Sequence, residues 1–320
     1  MSKAVKIWLI IAISLILVGG ILFVGVMTVL KWDFKKLSTN KYETNTYEIK
    51  DDFKSISIDT KTSDITFLPS KDSKCSVVCY EEENANHSVS VKDGILTVEL
   101  ENNKKWYEYI GINFESPKIT VYIPEGEYGE LKIRSSTGKL GIPKNFSFES
   151  IDVTATTGDV KLLSSAKNAI KIKVTTGKIT VENVTAESLS LSASTGAITV
   201  SDVKCEGNIT VNVSTGKTYL TNISCDSVRS EGDTGDITLK NVIASGRFSI
   251  ERDTGDVKFE KSDAASISVE TDTGDVTGSL LSDKIFFAES DTGKVSVPKS
   301  ASGGRCEIET DTGDIKITVE

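Results

Sequence analysis

From residue 131 onward, apolar and polar residues alternate in short bursts, and each burst is centred on a Thr-Gly pair. Counting from each Gly as zero, positions +2 and +4 are each apolar in nine of ten units, as in Val160 and Leu162 or Ile237 and Leu239. Positions −7 and −5 carry a matching pair, such as Ile151 and Val153, Leu189 and Leu191, or Ile267 and Val269. Lys, Thr, Ser and Asp fill the positions between. This period of two predicts two short, half-buried strands per unit, joined at Thr-Gly. No 3.6-residue stripe runs through the region and β-branched residues dominate, so helix is excluded there.

The Thr-Gly pairs fall at 137–138, 157–158, 176–177, 195–196, 215–216, 234–235, 254–255, 273–274, 292–293 and 312–313, always 19 or 20 residues apart. One unit cannot bury its own apolar face, whereas a stack of them can. The predicted fold is all-β: a parallel β-solenoid (β-helix) of about ten coils, preceded by one N-terminal transmembrane helix. At about 4.8 Å per coil the rod is roughly 45 Å long. Gly suits a corner of positive φ, and the Thr before it forms a ladder of hydroxyls along one edge.

Residues 7–30 hold 24 consecutive uncharged residues, "IWLIIAISLILVGGILFVGVMTVL". That length spans a hydrocarbon core of about 30 Å and exceeds the apolar run of a secretory signal. No Ala-x-Ala site follows it, so the segment reads as an uncleaved anchor, with a long signal peptide as the alternative. Charges flank both sides, and the expected orientation places the N-terminus in the cytoplasm and the rest outside. The domain reading is therefore 1–30 cytoplasmic tip and anchor, 31–45 stalk, 46–135 irregular β cap with the first coils, and 136–320 regular solenoid. "SISIDTKTSDITFL" resembles a degenerate unit with Ser63 in the Gly position, 75 residues before Gly138 and close to four repeats away. Asp93-Gly94 between alternating runs is a hairpin signal. The sequence stops at "DIKITVE", inside a unit. An open terminal strand offers unpaired backbone groups to a partner, to a second copy or to water.

Charge changes the picture in the last third. The net charge is −9, and residues 226–320 contain 11 basic and 20 acidic residues, so the imbalance lies there. No cluster of Lys or Arg marks a nucleic-acid surface, and nucleic acid is excluded as a partner. Position −2 reads Ser136, Thr156, Thr175, Ser194 and Ser214, then Asp233, Asp253, Asp272, Asp291 and Asp311. Asp-Thr-Gly is also the catalytic tripeptide of aspartic proteases. Those enzymes need two Asp facing each other across a shared proton. Five Asp related by translation do not supply that, and the interchange of Ser, Thr and Asp points to turn capping. Position +1 adds Asp236, Asp256, Asp275 and Asp314, with Lys294 between the last two. Like charges about 5 Å apart repel by about 0.8 kcal/mol in water and by about 3 kcal/mol near a protein surface. A bound Ca²⁺ would offset this, so Asp233, Asp236, Asp253, Asp256, Asp272 and Asp275 form a candidate cation edge. The alternative is a solvated acidic edge of turn caps.

Cys205 and Cys225 both stand at +9 and become neighbours in stacked coils, as a possible disulfide or a reduced pair. Cys306 takes a core position, and no Cys-x-x-Cys pair marks a metal site. His87 is the only histidine, which excludes most Ser-His-Asp and Cys-His nucleophilic sites. Unit length varies by one residue, so no long insertion builds a cleft.

The anchor, "FKSISIDTKTSDITFLP", "GILTVEL", "ITVYIP" and the Thr-Gly-Asp array together resemble the bacterial "putative adhesin" family, a domain of unknown function built of β-strand repeats. The resemblance covers about residues 46–320. It implies a cell-envelope location, often beside envelope-stress regulation in low-GC Gram-positive bacteria, and it implies no catalytic residues. The leading expectation is a membrane-anchored, non-enzymatic binding or structural module. Its partners would be a wall polymer, an envelope protein or a second copy at the open C-terminal strand. The alternative from another class is a Ca²⁺-dependent polysaccharide lyase or hydrolase.

Overall fold

The computed structural model describes residues 2–37, 40–72, 74–102, 104 and 115–320. The apolar segment forms a helix over Lys3–Val29, capped by Ser2, whose Oγ accepts from the Val5 N–H at 3.4 Å. It is long and apolar enough to cross a membrane, and its most apolar stretch packs against nothing else in the chain. Lys31 and Trp32, with φ of 54° and 57°, end it. Two residues of the expected stalk, 38 and 39, lie outside the described residues, and the strand Tyr42–Ile49 begins within the stalk segment.

The solenoid follows the repeat. The Thr before each corner sits in register with the Thr of the next coil, as in Thr157↔Thr176, Thr176↔Thr195 and Thr195↔Thr215. One stack of strands leads into the Thr-Gly corners and a second leads out of them, as in Ile198↔Thr218 and Thr218↔Ile237. A third short stretch stacks separately, for example Ile223↔Val242 and Cys225↔Ala244. Side chains at −7, −5, +2 and +4 form a continuous apolar interior, including Phe248 and Phe259, whose rings stack at 6.1 Å. Before the third stretch comes a corner that the sequence pattern did not announce. Asn183, Asp202, Asn222, Asn241 and Lys261 take φ between 52° and 56° there, a region Asn and Asp tolerate better than most side chains. Asn222 donates to Asp202 at 2.9 Å and Asn241 donates to Asn222 at 3.0 Å, so the corner carries its own side-chain ladder.

The N-terminal end is closed by antiparallel strands. Thr62 pairs with Thr137, and the Ser63 N–H reaches the Thr137 carbonyl at 2.9 Å, so Ser63 does occupy a corner position. The 75 residues between Ser63 and Gly138 do not form four coils. The degenerate unit stacks directly on the Gly138 coil, and the segment between folds across the end of the rod. On one side Tyr42–Ile49, Cys75–Glu82 and Lys118–Ile123 pair successively antiparallel and join Asp64–Pro69. On the other, the hairpin Ala85–Lys92 and Ile95–Asn102 turns at Asp93-Gly94 and joins Ser55–Thr62.

At the far end, spatial order departs from chain order. Thr312 pairs with Thr273 on one side and with Thr292 on the other. The last coil in sequence is therefore inserted beneath the one that precedes it. Its alternation is complete, and Cys306, Ile308, Ile315 and Ile317 are all buried. The Gly293 coil has a second strand of two residues and leaves Ile285, Phe287 and Val295 at 37, 53 and 44 % exposure. The better-patterned coil takes the two-sided position. The open edge expected at the C-terminal strand is found there in part and extends to Lys284–Thr292: Ile315–Val319 pairs with Val276–Leu280 along its length, but on its outer side only Ile315 and Lys316 pair, with Val295 and Ser296. Lys284 spans the inserted strand: its buried ammonium lies 2.6 Å from the Asp263 carboxylate, and its stem runs over Gly304.

Candidate functional site

The Thr-Gly edge recurs in all ten units. Its shape begins with the glycines. Gly158, Gly177, Gly196 and Gly216 have φ between 135° and 149°, and a Cβ on any of them would meet the preceding corner carbonyl within 2.1 Å. Only Gly allows both the backbone angle and this closeness. Each corner Gly N–H except that of the outermost Gly293 then donates to the Thr carbonyl of the next coil, as from Gly177 to Thr195 at 2.9 Å. The strand runs extended up to the corner, so the residues at −2 and −1 both face solvent in all ten units. Two adjacent columns result. One is all Thr; the other is Ser or Thr over the first five coils and Asp over the last five.

The two kinds of Asp behave differently. Asp233, Asp253, Asp272, Asp291 and Asp311 are exposed, and none accepts a backbone hydrogen bond in its turn. The capping expected of them is carried out at +1, between coils. Where the adjacent coil carries an Asp at the matching position, the +1 N–H takes that carboxylate. Asp256 donates its N–H to Asp236 Oδ1 at 3.3 Å, Asp275 to Asp256 at 2.9 Å, Asp314 to Asp275 at 2.7 Å and Lys294 to Asp314 at 2.8 Å. Asp64 and Asp159 serve Lys139 and Lys178 in the same way. Because the last two coils exchange places, the four acidic +1 residues are consecutive in space and Lys294 stands at the end, where no further coil needs a carboxylate. Lys217 closes the other end of this run, 2.9 Å from Asp236 Oδ2. That hydrogen bond, outweighing partial burial, holds the Asp236 carboxyl below its ordinary range.

Of the candidate cation residues, Asp256 and Asp275 are thus engaged through one oxygen each and Asp236 through both, and Asp233, Asp253 and Asp272 are free in the adjacent column. Among the described residues, the edge nowhere brings three carboxylate oxygens within 4.8 Å of one another. Cys205 and Cys225 are buried free thiols in adjacent coils, and burial pushes Cys225 up to about 12. Arg229, Arg247 and Arg252 differ sharply: the first two are exposed, whereas Arg252 points into the interior.

Residues 53–213 and 205–320 match the Toastrack DUF4097 family model. The chain belongs to the Toastrack DUF4097 family. The comparison with solved structures finds similar chains of very different sequence. A "putative adhesin" from Parabacteroides distasonis ATCC 8503 is 12% identical, with 88% of this chain and 98% of that chain covered at a TM-score of 0.49. A "putative adhesin" from Parabacteroides merdae ATCC 43184 is 14% identical, with 88% and 97% covered at 0.49. A "putative lipid binding protein" from P. distasonis ATCC 8503 is 16% identical, with 75% and 98% covered at 0.47. No curated protein matches the chain. This Toastrack chain therefore combines a regular solenoid, one apolar N-terminal helix and an edge of exposed side-chain ladders.

Proposed function

We propose that this Toastrack protein is a membrane-anchored, extracytoplasmic binding or structural module of the cell envelope. One observation carries the reading. In every coil but the outermost, Gly293 coil the apolar positions are consumed by the interior, while the Thr and −2 columns stay exposed at every step. A surface of identical groups repeated at about 4.8 Å suits a ligand that is itself repetitive and extended, such as a wall polymer or a strand of a partner protein. The helix Lys3–Val29 serves as the anchor in this reading.

The test has two arms. Protease added to intact cells is expected to remove residues beyond the helix while leaving the N-terminal tip protected. Protection of the whole chain would overturn the location. Purified protein is then expected to sediment with isolated wall polymer or envelope fraction without changing it. Release of soluble fragments from anionic glycans would overturn the non-enzymatic reading and favour a polysaccharide lyase or hydrolase.

A further inference from the structure

We propose that Cys79, Glu81 and His87 form a buried site for a divalent transition-metal ion of the Zn²⁺ class. The Cys79 Sγ, a Glu81 carboxylate oxygen and a His87 ring nitrogen lie within 4.8 Å of one another, the one such group of three among the described residues. Their exposures are 0, 1 and 3 %, in a cap whose other interior side chains are mostly aliphatic. Thiolate, imidazole and carboxylate are the donors that Zn²⁺ takes in tetrahedral sites.

The surroundings are arranged as a supporting shell. His87 Nδ1 faces Glu81 Oε2 at 2.6 Å, while its other ring nitrogen, Nε2, lies 2.9 Å from Thr60 Oγ1. Thr60 is held in turn by Ser63 at 3.1 Å, and Ser63 donates to the Thr62 carbonyl at 2.7 Å. Glu81 Oε1 accepts from Asn45 Nδ2 at 2.9 Å, and Oε2 accepts from the His87 backbone N–H at 2.7 Å. Metal-binding histidines and carboxylates are characteristically fixed in this way through their outer atoms. The inner atoms are Nδ1, Oε2 and Sγ. Hydrogen bonding satisfies the first two without an ion. The Cys79 sulfur is fully buried and lies within 4.8 Å of a ligand atom of each of the other two. Binding would release the proton between Nδ1 and Oε2 and the proton of the thiol, since the ligands must be deprotonated.

The location gives the ion a job. Cys79 and Glu81 lie on Cys75–Glu82, His87 on Ala85–Lys92, and Thr60 and Ser63 at the first corner of the stack. The site would staple both sides of the cap to the first coil, at the end of the rod nearest the anchor.

The full-length protein in detergent, stripped with chelator, would be titrated with Co²⁺. One ion per chain is expected, with a thiolate-to-cobalt charge-transfer band and the visible bands of tetrahedral Co²⁺. One equivalent of Zn²⁺ should remove both, and Zn²⁺ should raise the melting temperature by several degrees. Cys79→Ala should abolish the charge-transfer band, and Cys205→Ser should leave it intact. Absence of bound cobalt in folded wild-type protein would overturn the proposal whatever the variants do. So would a thiolate band that survives Cys79→Ala, or cobalt binding that vanishes only on Asp→Asn changes at the acidic edge.

Discussion

Replacing Arg252 with Met should stabilise the protein. Arg252 occupies an inward position at the corner, where other coils carry Ala155, Val174 or Val213, and it is 2 % exposed. Its guanidinium fits because the preceding coil has Gly232 there; a Cβ on Gly232 would sit 2.5 Å from the Arg252 Nη1. Nη1 donates to the Glu251 carbonyl at 3.1 Å and Nη2 to Ser230 Oγ at 2.7 Å, while Nε has no partner. No carboxylate forms an ion pair with it among the described residues. Burial alone pushes the guanidinium down to about 10. A folded-state value below the unfolded one means that the folded protein holds this proton less well, so the charge opposes folding at every pH below about 10. At about 1.4 kcal/mol per pH unit the opposition is about 3 kcal/mol near neutrality, and it fades only above pH 10. Met keeps the unbranched stem and removes the charge, but leaves Ser230 without its donor, a cost of about 1–2 kcal/mol. The net expectation for Arg252→Met is a gain of about 1–2 kcal/mol, and Ser230→Ala/Arg252→Met should gain about 1 kcal/mol more. Guanidinium unfolding followed by far-UV circular dichroism gives the midpoint and slope for each variant. A lower midpoint for both variants at unchanged slope would refute the reasoning, because it would make the buried guanidinium a net source of stability.

The two Asp columns should separate on mutation. Asp256→Ala removes an inter-coil cap and should cost about 1 kcal/mol, whereas Asp253→Ala should change stability by less than about 0.5 kcal/mol; thermal melting of the two side by side checks this. Lys284→Ala leaves the half-buried Asp263 carboxylate without its cation and should cost about 2–3 kcal/mol, seen as early loss of the C-terminal coils in hydrogen exchange. Burial raises the Glu81 carboxyl, but hydrogen bonds from His87 and Asn45 outweigh it and hold the group below its ordinary range. Its contribution is therefore present above the unfolded value of about 4.3 and disappears as pH falls through the folded value. Acid titration should show a loss of cap stability below about pH 4 that Glu81→Gln lacks. Thiol titration of the denatured, unreduced protein should count five free cysteines; a count of three that stays at three in Cys205→Ser/Cys225→Ser would place a disulfide across Cys205 and Cys225.

The candidate edge was only partly legible. Alternation at +2 and +4 and the Thr-Gly period translate directly into coils, because each strand's register is set by its neighbour one repeat away. The acidic change at −2 and +1 was visible too, but not the division of labour between the columns. Which N–H meets a carboxylate depends on how adjacent corners face each other, and spacing along one unit is silent on that. The Asn183 to Lys261 corner had a signal in its recurrent Asn at +6, which apolar periodicity passes over.

The amino-acid sequence by itself determined the local and periodic features: the apolar helix, strand alternation, the glycine corners and the stacking of like on like. These depend on neighbours within a few residues or exactly one repeat away. Tertiary structure decided everything that joins distant segments. It laid the degenerate Ser63 unit directly on the Gly138 coil and brought the single histidine against Glu81 and Cys79. It also seated the last coil beneath its predecessor, making Lys294 the end of the acidic run. A repeat makes many pairings locally equivalent, and only packing across the whole end of the rod, with the buried Lys284 paired to Asp263 across the inserted strand, selects one order among them.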